Sequence, residues 1–330
     1  MADHVNVTPD IQKRLDALAQ KYQASGQELL DFLDGLLYQD YNTYWDYIHL
    51  DTLLSLQNPV TDIADEEVFI MYHQITELYF KLSLNELKQL AFDDACLNKA
   101  RFLEKTQRIN RYFGALTHSF GVMEKGMDRN EFLKFRMSLI PASGFQSVQY
   151  RMIELACTDM INLTEKSVRP ELSAKADDVD SLYEHIYWKR GATLADTGAK
   201  TLTLKQFEKK YSEKLKRHAR KFMAHNLWRR FLALPPEDQK DQDLIDQLRL
   251  IDLNVNVNWP LQHYKTSVVY LARRPHDVRA TGGTNWQKYL PPRYQKRIFF
   301  PDLWTAQEQE EWGKSWVQGV LDEINQSSVK

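Results

Sequence analysis

A chain of 330 residues with 43% hydrophobic and 12% aromatic side chains can bury a sizeable core, as one large domain or two modest ones. Lys plus Arg number 43 against 45 Asp plus Glu, and the net charge of −2 gives no general attraction for nucleic acid or anionic lipid. Cys96 and Cys157 lack CxxC spacing or a histidine at ligand distance, and neither GxGxxG nor GxxxxGK[ST] occurs, so disulfide frameworks, zinc sites and the usual nucleotide folds are excluded.

The opening MADHVNVTPD has no basic stretch followed by an apolar core, and no apolar run approaches the roughly 18–20 residues of a membrane helix, which predicts a cytoplasmic protein. Residues 1–8 read as a loose arm. Thr8-Pro9-Asp10 then starts a helix, and a second follows the Ser25-Gly26 break, over about 27–37. In residues 41–57, Tyr44, Tyr47, Ile48 and Leu54 can share one face, an aromatic stripe of the kind that more often marks core than binding surface.

A long helix begins after Asp62. Phe69, Ile70, His73, Phe80, Leu84 and Leu87 recur at three- and four-residue steps, so His73 points inward with the apolar stripe. It is either a core histidine satisfied by Glu77 one turn on, or a histidine facing a ligand cavity. Residues 98–120 form another amphipathic helix with Phe102, Ile109, Phe113 and Leu116 inward and His118 at its C-terminal end. Arg136 follows, set between Phe132, Phe135 and a break at Pro141. It is a structural ion-pair residue or an anion clamp, and its fork geometry suits a carboxylate in either case.

Residues 179–190 read as a short helix, 191–203 as a loop, and the stretch from Leu204 to Leu234 as one long helix with basic outer faces. His218 and His225 within it have no third ligand in view. At Trp259, His263, Val269 or Tyr270, and Arg274 helical steps return, which makes His263 a second inward histidine. Thr281-Gly282-Gly283-Thr284 is a glycine pair that exposes backbone N–H groups to a ligand, and 299–304, FFPDLW, precedes a terminal helix. No hairpin signal stands out. The fold class is all-α, a helical bundle in a single domain over 1–330, with a smaller helical appendage within about 160–250.

Five stretches in this order resemble the tryptophan 2,3-dioxygenase family: YxxYxHLxxLLxxQ at 44–57, FIxxHQxxELxFKxxLxEL at 69–87, FR then PASGFQSxQxR at 135–151, WxxxH at 259–263 and TGGT at 281–284. The resemblance implies a b-type haem enclosed by the bundle, ferrous in the active form, with O2 as co-substrate. It makes His263 the proximal iron ligand. His73 becomes the distal histidine that meets the indole N–H, Phe69 a wall of the indole pocket, Arg136 the partner of the substrate carboxylate, and Thr281 a contact of its ammonium or carboxylate end. Phe132 and Leu139 fall at pocket positions, and Ala142, Ser143 and Trp259 beside the haem. Tyr44 and Tyr47 match tyrosines that reach a neighbouring subunit's pocket, which implies a homotetramer built as a dimer of dimers.

The implied activity is cleavage of the indole C2–C3 bond of L-tryptophan, both oxygen atoms entering N-formyl-L-kynurenine, as in tryptophan catabolism by the kynurenine pathway. His73 is then an orienting partner and not an obligatory base, because indole N–H is far too weak an acid for a group near pKa 6.5. Three departures are visible: Ala280 stands where the family usually has Gly, the stretch from His263 to Thr281 is about four residues longer than usual, and Tyr79 replaces a common Trp. They motivate an alternative, a related haem oxygenase of specialised metabolism acting on a substituted indole or another aromatic amino acid. A non-catalytic haem sensor is the other alternative, but it has no need of an amino-acid clamp at Arg136 and Thr281.

Overall fold

Thr8 ends the N-terminal arm by accepting a hydrogen bond from the Ile11 N–H at 3.4 Å, with Pro9 in the first turn where its missing N–H costs nothing, and α1 (Pro9–Gln23) follows. Gly26, at φ 73°, turns the chain toward α2 (Leu29–Tyr38), and Tyr22 stacks on Phe32 at 3.6 Å. Two short helices come next, α3 (Tyr44–Ile48) and α4 (Leu50–Leu54), separated by His49 in the left-handed region at φ 53°, ψ 48°. This residue breaks the face expected to unite Tyr44, Tyr47, Ile48 and Leu54. Tyr44 and Tyr47 are 71% and 77% exposed, so the stripe is surface and not core. The computed structural model describes residues 6–38, 43–193, 197–271 and 296–313. Residues 1–56 and 57–330 are two compact units.

The larger unit is built on α5 (Asp65–Phe92). Its first turn is fixed by Glu66, fully buried, whose carboxylate accepts from the Val60 and Thr61 N–H groups at 2.8 Å each. Phe80, Leu84, Leu87 and Leu90 bury one face of α5 against α6 (Lys99–Ser119), where Phe102, Ile109, Phe113 and Leu116 are all at most 1% exposed, as their spacing predicts. Asn98 caps α6 by accepting from the Ala100 N–H at 3.1 Å. Then come α7 (Gly121–Lys125), α8 (Arg129–Phe135), α9 (Val148–Cys157), α10 (Arg169–Leu172), α11 (Val179–Glu184) and α12 (Tyr187–Gly191).

The helix expected at 179–190 is thus two helices. So is the one expected from Leu204 to Leu234, which divides into α13 (Leu202–Phe222) and α14 (Leu227–Leu232). Asn226 makes the second break: it caps α14 by accepting from the Arg229 N–H at 3.0 Å while its amide donates to Asp159 at 2.9 Å. Both helices face the same core, so the apolar period runs on across a break that it cannot reveal. The chain continues through α15 (Gln242–Leu253), α16 (Trp259–Leu271) and α17 (Ala306–Glu310). Among the described residues the only β pairing is two isolated bridges, Thr164 with Ile186 and Thr193 with Lys200.

Residues from 160–250, among them Leu163, Trp188, Phe207, Phe222, Trp228 and Leu244, lie in one hydrophobic cluster with α5, α6 and α9. Its polar heart is Glu154, fully buried, which accepts from Arg151 at 3.0 Å and from Arg297 and the Tyr187 hydroxyl. The two guanidinium groups lie over aromatic rings, Arg151 5.1 Å from Trp188 and Arg297 4.7 Å from Tyr187.

Candidate active site around two histidines

His73 Nδ1 lies 2.7 Å from the Phe69 carbonyl one turn back in α5. A carbonyl only accepts, so Nδ1 carries the proton and, in the neutral ring, Nε2 is left as a lone-pair acceptor. Glu77, the partner expected within the helix, instead accepts from the Gln149 amide at 2.8 Å. Phe69 packs on the imidazole at 4.1 Å and Tyr72 meets its edge at 5.9 Å.

His263 sits one turn into α16. Phe120 flanks its ring at 6.1 Å, and Trp259, on the preceding turn, packs on Phe120 at 4.5 Å and Phe80 at 5.8 Å. Its imidazole makes no hydrogen bond with any described residue. Burial pushes the His263 pKa down to about 4, with His73 a further opposing charge, and burial also pushes the His73 pKa down against the Phe69 carbonyl and Glu77. Both rings are uncharged at neutral pH. They are close enough to feel each other's charge, and both are exposed in this chain, so neither is the inward histidine that the helical spacing predicts, although the groups packed around each ring desolvate it.

A wall runs from α5 to α8. Phe132 lies 6.1 Å and Phe135 5.7 Å from Phe69, and Phe132 packs on Tyr270 of α16 at 4.8 Å. Tyr270 is itself held, its hydroxyl donating to the Met123 carbonyl with that of Met127 at 3.1 Å. Arg136 directly follows this wall, 5% exposed, and burial lowers its pKa. Leu139 is half-buried, Ala142 exposed and Ser143 half-buried, the Ser143 hydroxyl capping the next short turn. The start of α13 braces this stretch: the Thr203 hydroxyl donates to the Pro141 carbonyl at 3.0 Å and the Gln146 amide to the Thr203 carbonyl at 3.3 Å. Thr281, with the rest of TGGT and Arg274, lies outside the described residues. Tyr44 and Tyr47 belong to the smaller unit.

Several contributors escape a reading of the sequence. Thr203 shows no pattern of its own, and Gln149 and Tyr270, although they stand in stretches that the sequence singles out, carry no sign there of the contacts they make. The helix that carries His263 is interrupted by a π turn over Asn254–Asn258, in which the Trp259 N–H reaches the Asn254 carbonyl. Pro260 is its visible sign, since proline cannot donate and its ring clashes with the carbonyl four residues back. Asn254 donates to Asn110 at 3.0 Å, Asn256 to the buried Asp252 at 2.7 Å, and the Tyr150 hydroxyl to the Val255 carbonyl at 2.7 Å. Elsewhere an open groove of about 540 Å³ is lined by His118, Glu124, Asn258 and Gln262 among others. It contains none of the residues around His73.

Among the described residues no three His, Cys, Asp or Glu side chains cluster as a metal site, and no helix is long and apolar enough to cross a membrane. The fold and site together define the class, an all-helical protein that sets two uncharged histidines near each other on α5 and α16. The family pattern described as Tryptophan 2,3-dioxygenase matches residues 37–168. A tryptophan 2,3-dioxygenase of Bacillus thuringiensis (strain Al Hakam) is 30% identical over 275 residues, 80% of this chain and 91% of its own. One of Ruegeria pomeroyi is 31% identical over 273 residues, 79% and 91% of the two chains, and one of Polaromonas naphthalenivorans 28% over 270, 79% and 89%. The chain belongs to the tryptophan 2,3-dioxygenase family, and is an oxidoreductase.

Proposed function

We propose that this enzyme cleaves the indole C2–C3 bond of L-tryptophan with O2 to give N-formyl-L-kynurenine, the entry to tryptophan catabolism by the kynurenine pathway. The observation that carries the reading is the pair of neutral histidines with unequal hydrogen bonding. His263 has a lone pair and no competing partner among the described residues, which suits an axial ligand of haem b. Haem, when bound, supplies the activation of O2. His73, its Nδ1 proton committed to Phe69, keeps Nε2 as an acceptor and orients the indole by its N–H. Phe69 and Phe132 wall the ring, with Leu139 at its edge, and Ala142, Ser143 and Trp259 border the haem. Arg136 clamps the carboxylate with two parallel hydrogen bonds, and Thr281 meets the amino-acid end.

The assembly that fits is a homotetramer in which Tyr44 and Tyr47 complete a neighbour's pocket. Their exposure leaves them available for this. The test is a mass spectrum of the product from aerobic L-tryptophan and reduced, haem-loaded enzyme. A mass gain of two oxygen atoms with both labels from 18O2 is expected. A gain of one oxygen, or no turnover, overturns the reading.

A further inference from the structure

In a π turn each N–H reaches five residues back, as Trp259 does to Asn254. The next acceptor in that register is the Val255 carbonyl, and its donor would be residue 260, which is proline. Val255 is fully buried, so its carbonyl has no water to turn to. The Tyr150 hydroxyl takes the place of the missing N–H at 2.7 Å. Tyr150 is itself 8% exposed, with its ring against Phe80 at 5.5 Å, so the donor is held in position. It also lies at the end of the PASGFQSVQY stretch that borders the other side of the site.

We propose that Tyr150 is a positioning residue for His263: its hydroxyl caps the carbonyl orphaned by Pro260 and so fixes the rotation at which the histidine helix leaves the π turn. One residue more or less in a helical turn rotates all that follows by about 100°, so the state of this turn decides whether His263 lies on the side of α16 near His73. Asn254 on Asn110 and Asn256 on Asp252 hold the same turn from other sides. The Tyr150 bond differs from these in answering a defect that one known residue creates. The proposal rests on His263 being the haem ligand.

That origin gives the test. Tyr150→Phe, Pro260→Ala and the double variant are compared in the full-length, haem-loaded protein. The readouts are the iron–histidine stretching band of the ferrous form, the rate of haem loss to an excess of scavenger, and amide exchange at Asn258 and Trp259 in the haem-free chain. Tyr150→Phe is expected to shift the band, speed haem loss roughly tenfold and raise exchange, as an unmet buried acceptor should. Pro260→Ala restores an N–H at the right place, so in its background Tyr150→Phe is expected to change little. A lowered melting temperature with an unmoved band and unchanged haem loss would reduce Tyr150 to a structural residue and overturn the proposal. So would failure of the double variant to recover whatever the single variant lost, folding included. If the unaltered protein shows no histidine-ligated haem, the haem reading fails, an outcome distinct from either of these.

Discussion

His73 and His263 look alike in the sequence, and their surroundings separate them. One ring has a nitrogen committed to a backbone carbonyl, and the other has both nitrogens free of described partners. His263→Ala is therefore expected to abolish stable haem binding, whereas His73→Ala keeps haem and turns over more slowly. A normal histidine-ligated Soret band in the His263 variant would reverse the assignment. On the proposed reading Arg136 decides substrate class. In a largely dry pocket its removal leaves a carboxylate unpaired, at a cost of roughly 2–5 kcal/mol, or about 30- to several thousand-fold in kcat/KM for L-tryptophan. Arg136→Lys recovers only part of this, since a point charge cannot make two parallel bonds. Tryptamine, with no carboxylate, is expected to be a poor substrate that the mutation barely affects. Equal losses for both substrates, with a lowered melting temperature, would make Arg136 a structural residue.

At the level of elements, α5 depends on an anchor outside its apolar stripe. Burial of Glu66 raises its pKa, but the Thr61 hydroxyl and the Val60 and Thr61 N–H groups outweigh that and lower it overall, so its contribution is present above its ordinary range and fades as pH falls below it. Glu66→Gln is expected to lose roughly 1–3 kcal/mol at pH 7, read as a lower urea midpoint, with the deficit shrinking toward pH 3. A deficit independent of pH would assign the loss to packing instead. The helical period made α6 legible down to the residues it buries, and α5 from Phe80 onward, whereas Phe69 and Ile70 are half-buried and His73 is exposed. It could not show the turn at Asn226 or the one at Asn254–Asn258, because apolar residues face the same core on both sides of each. The aromatic spacing at Tyr44 and Tyr47 pointed to a core face, and a single left-handed residue, His49, undid it. Around the site, the types of residue were readable but not their partners: Glu77 stood at the right step for His73, yet Gln149 from another helix holds it.

Across the whole molecule, two buried groups titrate against each other. Burial pushes His218 down to about 4, so its favourable neutral state is kept in full above its unfolded pKa of 6.5 and lost as pH falls toward 4. Burial pushes Asp252 up to about 6, against four hydrogen bonds, so its contribution is full below its unfolded 3.8 and lost as pH rises through 6. Each is worth roughly 3 kcal/mol over its window, with opposite slopes between pH 4 and 6. Asp252→Asn is expected to steepen the acid loss of stability there and His218→Gln to flatten it; parallel urea-midpoint profiles for all three proteins would refute the pairing. For assembly, light scattering is expected to give a tetramer that removal of residues 1–50 weakens together with substrate binding, and a fully active monomer would contradict it. The shared core also has a consequence for synthesis. Helices α5 and α6 emerge first, but α13–α15, which complete their cluster, come from the second half of the chain, and His263 follows them. A half-made chain therefore lacks the partners that α13–α15 supply, such as Phe231 against Phe102, and leaves that side of the cluster open to solvent. On the proposed reading haem capture has to wait for His263, and the interval before it is when the nascent protein most needs a chaperone.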